Sequence, residues 1–117
     1  MGRRAEPEPE TGGAQAPLSI LIRVESGFYA GLEWPLEADT VIGRGRKADL
    51  MLGEATISRR HARVFREADS LWVEDLGSTN GTQLNGERVT RAPLSLGDEI
   101  RMGKLALRLK RKDPDDA

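Results

Sequence analysis

Cysteine is missing from this chain, and histidine occurs once. The first absence removes disulfides, thiolate nucleophiles and zinc–sulfur sites. The second leaves any metal site dependent on carboxylates, and no carboxylate cluster with ligand spacing stands out. Aromatic residues are scarce, with two Trp, two Phe and one Tyr in 117 residues. That counts against the stacking platforms of a single-strand nucleic-acid binder. No apolar run approaches the roughly 18 residues of a membrane span. Basic residues near the N-terminus are followed by no apolar core, so a secretory signal is not expected. No paired carboxylates have a spacing suited to acid–base work, and Ser58 with His61 has no orienting acid beside it in sequence, so an enzyme is not expected. The expectation is a soluble, cytoplasmic, monomeric protein with no cofactor and no metal.

Turns are abundant instead. Thirteen glycines and six prolines punctuate short apolar alternations, a pattern that suits an all-β domain. Leu18, Ile20, Ile22 and Val24 alternate with Ser19, Leu21 and Arg23, which predicts a strand over Leu18 to Val24. Leu32, Trp34 and Leu36 repeat the period, and Pro35 among them predicts an edge strand or a bulge. Thr40 to Ile42, Asp49 to Leu52, His61 to Arg66 and Leu71 to Leu76 are further short candidates, with a hairpin turn at Ala68-Asp69-Ser70. Thr82 to Leu84 and Glu87 to Val89 are joined by Asn85-Gly86, a strong two-residue hairpin signal. Leu94 through Met102 gives a strand and turn, and Leu105 to Lys110 gives the last strand. About ten or eleven short strands and no helical period predict a sandwich or a barrel. Trp34 and Trp72 are assigned to packing, and Arg63, Arg66, Arg88, Arg91 and Arg101 to solvated outer faces.

One domain fits this length, with boundaries expected at residues 18 and 110. Residues 1–17 are acidic and interrupted by proline, so a disordered tail is expected. Residues 111–117 are charged and contain Pro114, so a second flexible tail is expected.

Three polar loops separate the strands in the middle of the chain. They read Gly43-Arg44-Gly45-Arg46-Lys47-Ala48-Asp49, Ile57-Ser58-Arg59-Arg60-His61, and Gly77-Ser78-Thr79-Asn80-Gly81-Thr82. From Arg44 to Arg60 there are five basic residues against two acidic ones, a net charge of three in a chain of net charge −1. Guanidinium, hydroxyl and carboxamide donors gathered in this way suit a phosphate carried on a peptide.

The set Gly43-Arg44, Ser58-Arg59-Arg60-His61 and Ser78-Thr79-Asn80-Gly81-Thr82, ending in Asn85-Gly86, resembles the forkhead-associated (FHA) domain. The resemblance runs from about Leu18 to Lys110. It implies an FHA/SMAD-like β-sandwich of two antiparallel sheets with about eleven strands. It also implies phosphothreonine-dependent recognition of proteins phosphorylated by Ser/Thr kinases, with phosphothreonine preferred to phosphoserine. On this resemblance Arg44, Ser58, Arg59 and Thr79 hold the phosphate and Asn80 holds the peptide backbone. Gly43, His61 and Gly81 are structural, and Arg46, Lys47 and Arg60 are candidates for reading flanking residues, acidic ones in particular. Some members of the family are regulated by phosphorylated tails. Glu6, Glu8 and Glu10 before Thr11 raise the same idea here, with capture by a second molecule favoured over capture in cis. The competing reading keeps the fold and drops the phosphate, giving a scaffold that binds through a sheet face. Acidic tails and a near-neutral core count against nucleic acid as the partner.

Overall fold

The computed structural model describes residues 20–112. The expected N-terminal tail, Thr11 included, the first two residues of the predicted first strand, and residues 113–117 of the expected C-terminal tail lie outside the described residues. The last strand runs through Arg111, which pairs with Ile20, one residue beyond the boundary expected at 110.

Period-two alternation becomes strand wherever one face can be buried. Eleven strands form among the described residues: β1 (Ile20–Val24), β2 (Glu33–Pro35), β3 (Thr40–Gly43), β4 (Leu50–Met51), β5 (Ala62–Glu67), β6 (Ser70–Asp75), β7 (Thr82–Leu84), β8 (Glu87–Val89), β9 (Arg91–Leu94), β10 (Glu99–Met102) and β11 (Leu105–Arg111). They form a five-stranded sheet in the order β9-β6-β5-β3-β4 and a six-stranded sheet in the order β2-β1-β11-β10-β7-β8. Neighbours are antiparallel except β3 and β4, which pair in parallel through Ile42 with Leu50 and Gly43 with Met51.

The core lies between the sheets. Ile22 and Val24 of β1, Ile100 and Met102 of β10, and Leu105, Leu107 and Leu109 of β11 face Ile42, Val64, Val73 and Leu94 of the other sheet. Each such side chain, once buried, contributes about 1.5–3 kcal/mol. Trp34 packs against this cluster and its indole N–H donates to Thr40 Oγ1 at 3.4 Å. Pro35 sits in β2, an edge strand, where no ladder donor is needed on the open side.

Two tight turns carry positive φ at both central residues. Ala68 and Asp69 have φ of 51° and 67°, and Asn85 and Gly86 have 51° and 89°. Such turns match the twist of the strands they join. Asn85 also bonds across to β10, accepting from the Glu99 N–H at 3.0 Å and donating to Asp98 Oδ1 at 3.0 Å.

The sequence pattern misplaces one strand. Leu94 to Leu96 reads as part of the strand leading into β10, whereas β9 covers Arg91–Leu94 and belongs to the other sheet, against β6. The chain changes sheets at Thr90, whose carbonyl accepts from Asp75 N–H at 2.8 Å. Pro93 hides β9 from a propensity reading, and it is tolerated because β9 is an edge.

The outer face of the five-stranded sheet corrects another expectation. Arg63 and Arg91 are not simple solvated charges. The Arg63 guanidinium lies 4.0 Å from the centre of the Phe65 ring, and Arg91 lies 5.0 Å from that of Trp72. Arg63 pairs with Glu74 at 3.1 Å and Arg91 with Glu67. Two aromatic rings are thereby covered by paired cations.

Candidate functional site

The links after β3, β4 and β6 are fastened to one another at one end of the sandwich. The first close approach is made by backbone. Arg44 N–H donates to Ser58 C=O at 3.1 Å and Gly45 N–H to Arg59 C=O at 3.1 Å. A Cβ on Gly43 would lie 2.0 Å from the Arg59 carbonyl oxygen, so only glycine permits this approach. The Arg44 side chain extends the clamp, its Nε–H donating to Ile57 C=O at 2.7 Å. Its two terminal amino groups remain at the exposed end of the fork.

His61 ties the second loop to the third. It is fully buried. Its Nδ1 accepts from Ser58 N–H at 3.0 Å, and its Nε2 lies 2.8 Å from Gly81 C=O. A carbonyl can only accept, so Nε2 carries the proton and the ring is the neutral tautomer. Both nitrogens are occupied, which leaves no proton-transfer role and makes the histidine a brace. Gly81 has a φ of 82°, in the left-handed region that a glycine reaches without strain.

Across this brace Thr79 N–H donates to Ser58 Oγ at 3.1 Å. The serine hydroxyl proton therefore points elsewhere and can be given to a ligand. The Asn80 amide donates to Thr56 C=O at 2.7 Å, which leaves its second N–H and its carbonyl oxygen available. Arg59, Thr79 and Asn80 are exposed, and Ser58 is half-buried. Arg46, Lys47 and Arg60 are exposed and make no hydrogen bond or ion pair among the described residues.

No group of three or more His, Asp or Glu is placed to hold a metal among the described residues. None of their helices is long and apolar enough to cross a membrane.

A sequence profile of the FHA domain matches residues 40–103. This chain belongs to the FHA-domain family. Among curated FHA relatives it is 42% identical over 90 residues to the oxoglutarate dehydrogenase inhibitor of Corynebacterium jeikeium, covering 76% of this chain and 62% of that protein. It is 42% identical over 92 residues to the glycogen accumulation regulator GarA of Mycobacterium tuberculosis, covering 78% of this chain and 57% of that one. The chain thus spans about three-fifths of the length of these relatives. A solved structure described as a structural and functional analysis of phosphothreonine-dependent FHA domain interactions superposes with a TM-score of 0.73. It is 31% identical, and the match covers 81% of this chain and 98% of that one.

Three contributors to this loop cluster lie outside the residues that sequence reasoning picked. Asp75, at the end of β6, organises the third loop. Its Oδ1 accepts from Ser78 Oγ at 2.5 Å and Thr82 Oγ1 at 2.7 Å, and its Oδ2 accepts from the N–H groups of Gly77 and Ser78 at 3.0 Å each. Burial works to raise its pKa, but these four donors outweigh burial and hold it below the ordinary carboxylate value of 3.8. The sequence signal was available, because an aspartate followed two and three residues later by Gly77 and Ser78 can cap its own loop.

Thr56 is the second. Its hydroxyl donates to Glu54 Oε2 at 2.8 Å and accepts from Lys104 N–H at 2.8 Å. This fastens the second loop to the β10–β11 turn. Glu54 also accepts from Thr56 N–H. The Thr56 hydroxyl, the Thr56 N–H and nearby Lys104 lower the Glu54 pKa against a smaller opposing effect of burial.

Arg88 is the third. A Cβ on Gly81 would lie 2.8 Å from the Arg88 guanidinium carbon, so that cation packs directly against the third loop. It was expected on a solvated outer face, and nothing in its local sequence marks it. The cross-strand register that brings β8 beside β7 puts it there.

Proposed function

We propose that this domain is a phosphothreonine reader that recruits proteins phosphorylated by Ser/Thr kinases. One observation carries the reading most strongly. The Arg44 fork, the Ser58 hydroxyl and the third-loop residues Thr79 and Asn80 are locked together before any ligand arrives. Preorganised donors bind better because little ordering remains to be done.

The roles follow from which atoms are already engaged. The terminal amino groups of Arg44 meet the phosphate, which carries about −1.5 to −2 charges near neutral pH. The Ser58 hydroxyl donates a second bond and Arg59 adds charge. Thr79 closes the site from the third loop. Asn80 pairs with the peptide backbone through its remaining N–H and its carbonyl oxygen, since a carboxamide both donates and accepts. Each bond to a charged group contributes roughly 1.5–3 kcal/mol. Several of them, less the cost of ordering a peptide, give a Kd near one micromolar, about −8 kcal/mol.

The domain acts by binding, in a reducing cytoplasmic setting. The relatives' names, an inhibitor and a regulator, support action by binding over catalysis. Internal pairing of Arg63, Arg91, Glu67 and Glu74 leaves the five-stranded face with little to offer a scaffold partner, which favours the loops.

The test is capture of peptides from an oriented phosphothreonine library, with phosphoserine and unmodified threonine controls. Phosphothreonine peptides should be selected, and the γ-methyl alone should favour them over phosphoserine about fourfold. Failure of the folded protein to capture any phosphopeptide would overturn the reading.

A further inference from the structure

Two Asn-Gly pairs follow one another closely, Asn80-Gly81 in the third loop and Asn85-Gly86 in the β7–β8 turn. In such a pair the glycine nitrogen can attack the asparagine side chain, because no Cβ on the second residue stands in its way. A bond forms between the glycine N and the asparagine Cγ. The Cγ–Nδ2 bond breaks, and ammonia leaves with the proton of the glycine N–H. Water then opens the resulting succinimide ring at one of its two C–N bonds. The product is aspartate, or isoaspartate, in which the main chain runs through the side chain. Nothing is oxidised or reduced, and water is the only other reactant.

The two pairs are fastened differently. Asn85 is tied to β10 at three atoms. Its N–H donates to Glu99 C=O at 2.9 Å, its Oδ1 accepts from Glu99 N–H at 3.0 Å, and its Nδ2 donates to Asp98 Oδ1 at 3.0 Å. Both side-chain bonds must break before its carboxamide can fold back onto Gly86. Asn80 is exposed. Among the described residues it is held by the single bond from its amide to Thr56 C=O at 2.7 Å. The attacking nitrogen is held as well, Gly81 N–H donating to Ser78 Oγ at 2.9 Å. Each is one neutral hydrogen bond, so a local opening of the third loop frees the pair without global unfolding.

We infer that Asn80 is a site of spontaneous deamidation, and that the bonds to Ser78 and Thr56 set its rate. The consequence for binding rests on the phosphothreonine-reader reading. A carboxylate at position 80 cannot donate to Thr56 C=O or to a peptide carbonyl, and its charge stands beside that of the phosphate. Isoaspartate also lengthens the main chain next to Gly81, which is packed against Arg88. Either product shuts the site irreversibly. A bound peptide takes up the remaining N–H and the carbonyl oxygen of Asn80. Occupied molecules therefore keep their asparagine, and idle ones lose it.

The experiment ages the full chain in warm, mildly alkaline buffer and locates each conversion by fragmentation mass spectrometry. Asn80 should convert ahead of Asn85. Ser78→Ala removes the acceptor of Gly81 N–H and should speed conversion at Asn80 about three- to tenfold, the range for one lost hydrogen bond. Asn85 should keep its native rate, and a thermal melt checks that the variant is folded. A phosphothreonine peptide at about ten times its Kd should slow Asn80 in the native chain about tenfold. The fraction of molecules able to bind that peptide should fall in step with conversion. Asn85 converting first would overturn the inference, and this order decides alone if Ser78→Ala does not fold. Equal rates at Asn80 in the native chain and a folded Ser78→Ala would overturn it too. So would an Asn80 intact in both after the urea-unfolded chain has converted, or converted protein that binds as well as fresh protein. Fresh protein that binds no phosphothreonine peptide would overturn the reader reading, while the rates at Asn80 and Asn85 still decide the deamidation site.

Discussion

Replacing Asp75 by Asn removes a charge and almost nothing else. In the native loop one carboxylate oxygen accepts two hydroxyl donors and the other accepts two backbone N–H donors. An amide cannot accept from both pairs. With its oxygen toward Gly77 and Ser78, its N–H groups face Ser78 Oγ and the Thr82 hydroxyl, and Thr82 is fully buried. Reversed, it sets N–H against N–H. In the better orientation two bonds fall from charge-assisted to neutral strength, and a buried hydroxyl loses its acceptor. That costs about 2–3 kcal/mol in all. For a domain of this size it lowers the thermal midpoint by roughly 10–20 °C at neutral pH. The third loop carries Thr79 and Asn80, so phosphopeptide affinity should fall as well.

The pH dependence gives an independent check. The folded pKa of Asp75 is depressed, so its stabilising contribution is complete above the ordinary value of 3.8. It is lost as pH falls through that value toward the lower folded one. The gap between the native protein and Asp75→Asn should therefore be constant from neutrality down to about pH 5 and close below about pH 4. Calorimetric melts across that range test it. A midpoint within about 3 °C of the native one at pH 7, where roughly 10–20 °C is expected, would refute the assignment of Asp75 as the organiser of the loop. A gap that persists undiminished in acid would refute its charge as the cause.

The remaining predictions concern the other fastenings. Gly43→Ala puts a methyl group 2.0 Å from the Arg59 carbonyl oxygen. The two loops must part, and a destabilisation of about 3 kcal/mol or more is expected in urea melts; a neutral effect would mean that they are not locked. His61→Ala leaves Ser58 N–H and Gly81 C=O without partners and a cavity between them, which should cost about 3–4 kcal/mol. Unaltered stability with lost binding would show instead that the histidine serves the ligand. Arg44→Lys keeps charge but loses the fork and the bond to Ile57, so affinity should drop about tenfold or more with the midpoint nearly unchanged. Binding within a factor of about two would remove the fork from the mechanism. Ala68→Asn with Asp69→Gly puts turn-forming residues at φ of 51° and 67°. It should add about 1 kcal/mol, read as a higher urea midpoint.

Much of this architecture was legible because a two-sided sandwich writes its burial into alternating residues. Ile22 and Val24, Leu71 and Val73, and Leu105, Leu107 and Leu109 reveal the inward faces directly, and Asn85-Gly86 names its own turn. Legibility fails where the determinant is non-local. β9 carries Pro93 and shows no strong period, and it becomes a strand only because β6 offers an unpaired edge. The β3–β4 pair is parallel because the intervening loop folds back onto Asp49, whose carboxylate accepts from Val41 N–H at 2.8 Å. At the candidate site, the set proposed to bind phosphate stood out because its donors lie in three compact polar loops. Arg88 and Arg101 were read as surface charge because register, and not sequence distance, sets them on either side of Gln83. Thr56 gave no signal, since its partners Asn80 and Lys104 are brought to it by the sandwich.

The central claim is that the three loops form one phosphothreonine site in which Arg44, Ser58, Thr79 and Asn80 act together. Backbone amide NMR during titration with a phosphothreonine peptide tests it most directly. The amide resonances of Arg44, Ser58, Thr79 and Asn80 should move on a single saturation curve, while those of Phe65, Trp72 and Arg91 on the outer five-stranded face stay in place. The unphosphorylated peptide should move none of them. Saturable shifts confined to the sheet face, or equal shifts with and without the phosphate, would contradict the account.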